Sequence, residues 1–175
     1  MKPGPAGSAG RSLRARALQW LAQREHSRSE LRRKLLEYAQ RAAADGDSPA
    51  DAAPAGVDAL LDWLEAHRYL SQERFVESRV HARAARFGNL RIRQELARHQ
   101  VAMSPGAEQS LNDSELDRAR DVWARKFAGP GLTASERAKQ GRFLTGRGFS
   151  PEVVRRVLRE SGRATADEHL DTLGR

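Results

Sequence analysis

The sequence predicts an all-α chain, and three observations predict it. Apolar residues recur at helical spacing along most of its 175 residues. Ser or Thr caps and Gly or Pro breaks cut that periodicity into short segments. Pieces of the segments recur at a distance, as in tandem arrays. The stretch from Trp63 to Leu96 shows all three: it joins apparent helices through breaks at Tyr69-Leu70-Ser71 and Phe87-Gly88-Asn89, and parts of it reappear on both sides.

Residues 1–10 are mostly Gly, Pro, Ala and Ser and bury too little to offset their ordering entropy, so they are read as disordered. From Arg11 to Ala44, Leu13, Ala17, Trp20 and Leu21 mark one helix, and Leu31, Leu35, Tyr38 and Ala42 the next. Between them Ser27-Arg28-Ser29-Glu30 fits a capping box. A long loop over 43–56 precedes a third face of Val57, Leu60, Leu61 and Leu64. Ser71 caps the fourth helix, whose stripe is Val76, Val80, Ala84 and Phe87. Gly88 is expected to stop it in the left-handed conformation, and Asn89 to cap a fifth helix with Ile92 and Leu96 inward. Ser104-Pro105 opens a weakly patterned sixth helix. Asp113 or Ser114 caps a seventh, with Leu116, Ala119, Trp123 and Phe127 inward. Thr133-Ala134-Ser135-Glu136 boxes an eighth that closes on Phe143 and Leu144, and Gly146 and Gly148 break it. Ser150-Pro151-Glu152 opens the last clear helix, carrying Val153, Val154, Val157 and Leu158.

Arg68–Glu73 aligns with Arg147–Glu152, with a poorer middle copy at Met103-Ser104-Pro105, and His26–Leu35 aligns with Phe87–Leu96. The expected organisation is three tandem three-helix repeats at 11–70, 71–112 and 113–161, followed by a polar tail at 162–175. Units that contact only their neighbours give an elongated molecule.

Leu, Ile, Val and Phe are scarce, so one large core is not expected. The chain has no cysteine, which excludes disulfides and thiolate metal sites. Its net charge of +8 favours an anionic partner. Basic residues outnumber acidic ones nine to three in Arg11–Ala42, eight to three in Arg68–Arg98 and eight to two in Arg137–Arg163, with acidic segments between, so the positive charge recurs with the repeat. Such spacing suits a phosphate ladder, because Arg forks onto phosphate. Trp20, Tyr38, Trp63, Tyr69 and Trp123 lie near these arginines; base stacking is open to them, and core packing is the expectation. No apolar run is long enough to span a membrane, and residues 1–10 have no apolar leader core, so the cytoplasm is the expected compartment.

Motifs for catalysis are missing. His26, His67, His81, His99 and His169 lack the spacing of a zinc helix, and neither a P-loop nor a dinucleotide fingerprint is present. Asp58 and Asp62, one turn apart, could hold a divalent ion in a nuclease, but an exposed helix face explains them as well.

The segment Arg24–Leu31, then Leu64, Tyr69-Leu70-Ser71, Phe75, Arg79, Gly88 and Arg91–Leu96, and finally Phe143-Leu144, Arg147–Ser150 and Val153-Val154, resemble the RecX family, bacterial regulators of the RecA recombinase. The likeness covers Leu13 to Leu158, and Gln100 stands where members usually carry glycine. The resemblance implies an elongated, curved, all-helical array of three three-helix repeats. It implies binding to RecA filaments on single-stranded DNA, altering ATPase, strand exchange and filament growth, in DNA repair, recombination and the SOS response. Duplex DNA is a second candidate partner. The expected protein is a monomer without enzyme activity, cofactor or membrane. The residues expected to contact the filament or DNA are Arg32, Arg33, Arg79, Arg83, Arg91, Arg93, Arg142 and Arg147, chosen for face and charge; Arg91 and Arg93 flank the inward Ile92. The alternative is a stand-alone helix-turn-helix protein that puts the Asn89–His99 helix into a major groove.

Overall fold

The computed structural model describes residues 12–46 and 52–173, with side chains as far as Gly162. The expected disordered segment at 1–10 and residues 47–51 of the long loop lie outside the described residues. Within them the chain is all-helical: α1 Leu13–Gln23, α2 Arg28–Ala44, α3 Pro54–Ala66, α4 Gln72–Ala84, α5 Asn89–Arg98, α6 Pro105–Asp113, α7 Glu115–Ala124, α8 Ala134–Gly146 and α9 Pro151–Leu173. No helix among the described residues is long and apolar enough to cross a membrane. The last helix continues through the polar segment after Gly162 as far as Leu173.

The chain forms two compact units. The first takes in residues up to Phe75 together with His99–Val101. Its core is Leu13 and Ala17 of α1, Leu31, Leu35 and Ala39 of α2, Val57, Leu61 and Leu64 of α3, and Leu70. Each fully buried leucine contributes about 1.5–3 kcal/mol relative to an exposed one. Ser27 accepts the Glu30 N–H, as its position predicts, and Ser12, not singled out in the sequence, accepts the Ala15 N–H, so both helix starts are capped. The Glu30 carboxylate also receives Arg24.

The second unit comprises Val76–Arg98 and Ala102 onward. Ala119, Val122, Leu144, Phe149, Val154 and Val157 form a core between α7, α8 and α9. The Thr133–Glu136 capping box is complete. Ser104 accepts the Ala107 N–H, and Ser150 accepts that of Val153. Ser114 occupies the cap position of α7 but makes no cap bond, because its hydroxyl turns back to the Ser110 and Leu111 carbonyls. Gln140 is buried where the helical pattern calls for an apolar residue. Its amide is satisfied by the Trp123 indole N–H, the Gly131 N–H and the Gly129 carbonyl.

Three breaks share one device. Four residues after the buried Leu64, Leu96 and Leu144 come Arg68, Gln100 and Gly148, all with positive φ (59°, 56° and 81°). The position where Gln100 replaces the expected glycine is therefore left-handed, which is the physical reason glycine suits it. Between this residue and the next serine cap lie Tyr69 and Leu70 in the first break, Val101, Ala102 and Met103 in the second, and Phe149 alone in the third. The gapless pairing of Arg68–Glu73 with Arg147–Glu152 is thus corrected: the left-handed Arg68 matches Gly148, and the first break holds one extra residue. Tyr69 does not join the core as expected; the residue is 48% exposed.

Two further expectations fail at the Phe87-Gly88-Asn89 break. Gly88 is not left-handed. It is small because the chain passes against the third break: the Gly88 N–H donates to the Arg147 carbonyl (3.0 Å), the Leu90 N–H donates to that of Gly148 (3.0 Å), and a Cβ on Gly88 would collide with the Gly148 and Phe149 backbone. Asn89 does not cap α5, since it is that helix's first residue and is buried. Its side-chain oxygen accepts from Arg118, and its amide donates to Asn112.

Candidate nucleic-acid and protein interface

In the first unit the cationic face of α2 meets acidic α3. Arg32 forks onto Asp58 (2.7 and 3.1 Å), and Arg28 reaches Asp62 (2.7 Å) and Glu65 (2.6 Å). Arg33 pairs with Glu37 one turn on (2.8 Å). The hydrogen bond from Arg32 holds the Asp58 carboxyl below the usual carboxylate range. Asp58 and Asp62, weighed as a metal-binding or acid–base pair, each hold a guanidinium; no grouping of potential metal ligands occurs among the described residues. A cleft of about 630 Å³ lies beside this face, lined by residues of both signs including Arg28, Arg32, Arg33, Glu37, Glu65 and His99.

The second unit holds the other six predicted contacts. Arg79 and Arg83 converge on Glu95 of α5 (3.6 and 2.8 Å). Arg93 turns to α6, where it meets Glu108 (3.1 Å) and Asn112 (2.8 Å), and its Nε is shielded from solvent without a partner. Arg91 is exposed beside the Phe87 ring (4.6 Å), and its guanidinium reaches the Gly146 carbonyl (3.4 Å). Arg147 lies over Phe143 (4.5 Å) and donates to the Arg86 carbonyl (3.3 Å). Arg142 is exposed. Five of the eight, Arg32, Arg33, Arg79, Arg83 and Arg93, therefore hold carboxylates. Surface pairs of this kind are weak enough for a phosphate to compete with them.

Sequence reasoning missed the residues that organise this unit. Arg118 donates to the carbonyls of Ala84, Phe87 and Leu111 as well as to Asn89 and Ser114. Arg125 donates to the Ala85 carbonyl (2.6 Å). With Arg147 on Arg86, the carbonyls of residues 84–87, the last of α4 and the three that follow it, are all taken by guanidinium groups, as the negative end of a helix favours. Burial lowers the Arg118 pKa from its ordinary value, and the charge of Glu115 opposes that shift. Glu115 is itself buried and accepts the N–H of Asn89 (2.9 Å) at the start of α5, and the N–H (3.2 Å) and hydroxyl (3.0 Å) of Ser150 at the start of α9. Acidity across 113–121 was the only signal, and it does not single out one carboxylate.

The aromatic residues pack largely as expected. Trp20 and Tyr38 meet edge to face (6.3 Å) against the first core, with Lys34 over the Trp20 ring, and Trp123 packs on the second core. Trp63 joins the first core and stacks on His67 (4.1 Å) and Tyr69 (5.6 Å), with Arg14 over its ring. His26 is buried: Nδ1 donates to the Arg24 carbonyl (2.9 Å), and Nε2 accepts from Lys34 (3.2 Å). Burial lowers its pKa, consistent with a neutral structural ring.

The start of α5 is covered by the 146–149 backbone and by Glu115. A recognition helix needs its first residues free to meet base edges, so this packing weighs against the helix-turn-helix alternative.

Comparison with known proteins gives a consistent picture. A sequence model described as RecX, third three-helix domain, matches residues 113–158. The chain is 45% identical over 162 residues to the "Regulatory protein RecX" of Ralstonia pickettii (strain 12J), covering 91% of each chain. It is 49% identical over 154 residues to that of Leptothrix cholodnii, covering 85% of this chain and 88% of the relative. The fold is similar to the crystal structure of RecX from Lactobacillus salivarius, with a TM-score of 0.63 and 16% identity over 86% of this chain and 94% of that one.

Proposed function

The chain belongs to the RecX family of regulatory proteins, and from that premise we propose that it modulates a RecA recombinase by binding RecA filaments on single-stranded DNA. The observation that carries this reading is the identity of 45% to a regulatory RecX protein across 91% of both chains. The net charge of +8 and the recurrent basic segments support an anionic lattice as the partner. The mechanism is physical rather than catalytic. Three three-helix repeats, at 11–70, 71–112 and 113–161, engage the filament as a monomer, in the cytoplasm and without a cofactor. Binding alters ATPase, strand exchange and filament growth only if the chain favours one filament state over another. Arg32, Arg33, Arg79, Arg83, Arg91, Arg93, Arg142 and Arg147 are the proposed contacts; Arg91, Arg142 and Arg147 are first among them because no carboxylate neutralises them among the described residues.

Titration into a RecA ATPase assay on single-stranded DNA tests the proposal. The expected result is a saturable change in hydrolysis that weakens with salt. Unchanged hydrolysis at saturating protein, beside tight sequence-selective binding to duplex DNA, would replace it with the helix-turn-helix reading.

A further inference from the structure

Beside the end of α4, the second unit holds a pocket of about 250 Å³ lined by Ala85, Arg86, Val122, Arg125, Lys126, Phe143 and Arg147. Four of its side chains are cationic and none is acidic. No ion pair holds any of the four among the described residues, whereas Arg28, Arg32, Arg33, Arg83 and Arg93 all hold carboxylates. Two of the four are fixed in place by carbonyls rather than by charge: Arg125 on Ala85 and Arg147 on Arg86. A carbonyl anchor orients a guanidinium without neutralising it. Arg147 also keeps a solvent-shielded Nε that has no partner. Arg86 and Lys126 are exposed.

We propose that this pocket binds a backbone phosphate of a single nucleic-acid strand. Its volume, room for several waters at about 30 Å³ each, admits a phosphodiester. A strand is favoured over an acidic peptide because the lining cations interleave with aromatic rings, and Arg91 on the Phe87 ring carries the pattern past the lining. Arg86 and Arg91 lie 5.8 and 4.6 Å from the Phe87 centroid, and Arg147 lies 4.5 Å from that of Phe143. Phosphates repeat along a strand, and bases accept both stacking on rings and cation–π contact. Arg86, Arg125 and Lys126 are thus added to Arg147 as contacts. The site rests on the reading that the chain engages single-stranded DNA, and it specifies where.

The test uses the full chain, without the recombinase, and a fluorescent oligothymidylate titrated at several salt concentrations. Arg86→Gln with Lys126→Gln removes two cations that hold no carbonyl. Arg41→Gln with Arg156→Gln removes the same charge from exposed residues that pair with Glu37 and Glu160. The first double variant is expected to bind more weakly, with a log–log salt slope shallower by about 0.7 for each phosphate no longer neutralised. The second is expected to stay close to the parent. Equal weakening in both variants, or none in the first, overturns the site. So does a polyglutamate peptide that binds where the oligonucleotide does not. A parallel RecA ATPase titration separates the two proposals. Weakened oligonucleotide binding in the first variant, from a parent that leaves hydrolysis untouched, upholds the pocket and removes the regulatory reading. An unaltered oligonucleotide isotherm with hydrolysis still modulated does the reverse.

Discussion

The α2–α3 face of the first unit and the end of α4 in the second both concentrate arginine, but they use it in opposite ways. On α2, Arg28, Arg32 and Arg33 meet Asp62, Glu65, Asp58 and Glu37, and the charge cancels locally. At the end of α4, Arg118, Arg125 and Arg147 meet backbone carbonyls, and the positive charge of Arg125 and Arg147 survives, while that of Arg118 is set against the buried Glu115. Basic segments that look equivalent in sequence are therefore unequal as anion sites. What a guanidinium bonds matters more than how many there are.

The largest expected effect comes from removing the arginine that holds three carbonyls. Arg118→Ala leaves the buried Glu115 without its neighbouring cation and strips several carbonyls of their donor, and should cost about 3 kcal/mol. Lowered urea midpoints at constant slope would show it. Arg118→Lys should not rescue, because one ammonium cannot span those acceptors.

The breaks extend the contrast. Gly148→Ala places a side chain at φ 81° with its Cβ 2.7 Å from that of Arg91, and should cost on the order of 2 kcal/mol. Gln100→Gly relieves a left-handed residue and should gain about 1 kcal/mol. A loss at Gln100→Gly in thermal unfolding would mean that its side chain holds something worth more than the strain.

Arg28→Ala, on the carboxylate-paired face, should cost no more than about 1 kcal/mol, and less in high salt. A penalty matching that of Arg118→Ala would erase the distinction.

Acid supplies a separate probe of the first unit. Burial keeps the His26 pKa below its ordinary 6.5, so the unfolded chain binds the extra proton first. Its contribution is whole above pH 6.5 and is lost as pH falls toward the folded value. Urea midpoints taken from neutral pH down to about 5, above the main carboxylate range, should therefore decline. The decline should shrink in His26→Gln.

Much of the fold could be read from the chain because its signals are local. Ser12, Ser27, Ser71, Ser104, Thr133 and Ser150 accept the N–H groups that capping requires, and all but Ser12 were anticipated. Leu31 and Leu35 are buried like their counterparts Ile92 and Leu96. What escaped depends on residues distant in sequence. Gly88 reads as a helix stop until the 147–149 backbone is laid against it. Asn89 reads as a cap until Arg118 takes its oxygen. The arginine pattern was visible, but whether each side chain meets a carboxylate or a carbonyl was not, since helical spacing says nothing of a partner thirty residues away.

Glu115 closes the first turns of both α5 and α9, and this bears on how the second unit is made. As the chain leaves the ribosome, α5 emerges well before the carboxylate that receives its leading N–H. A helix that short is marginal alone in water. It must fray until α7 arrives, and α9 then finds its anchor waiting. The unit should thus acquire protease resistance in one late step, once the nascent chain has passed Ser150, rather than helix by helix.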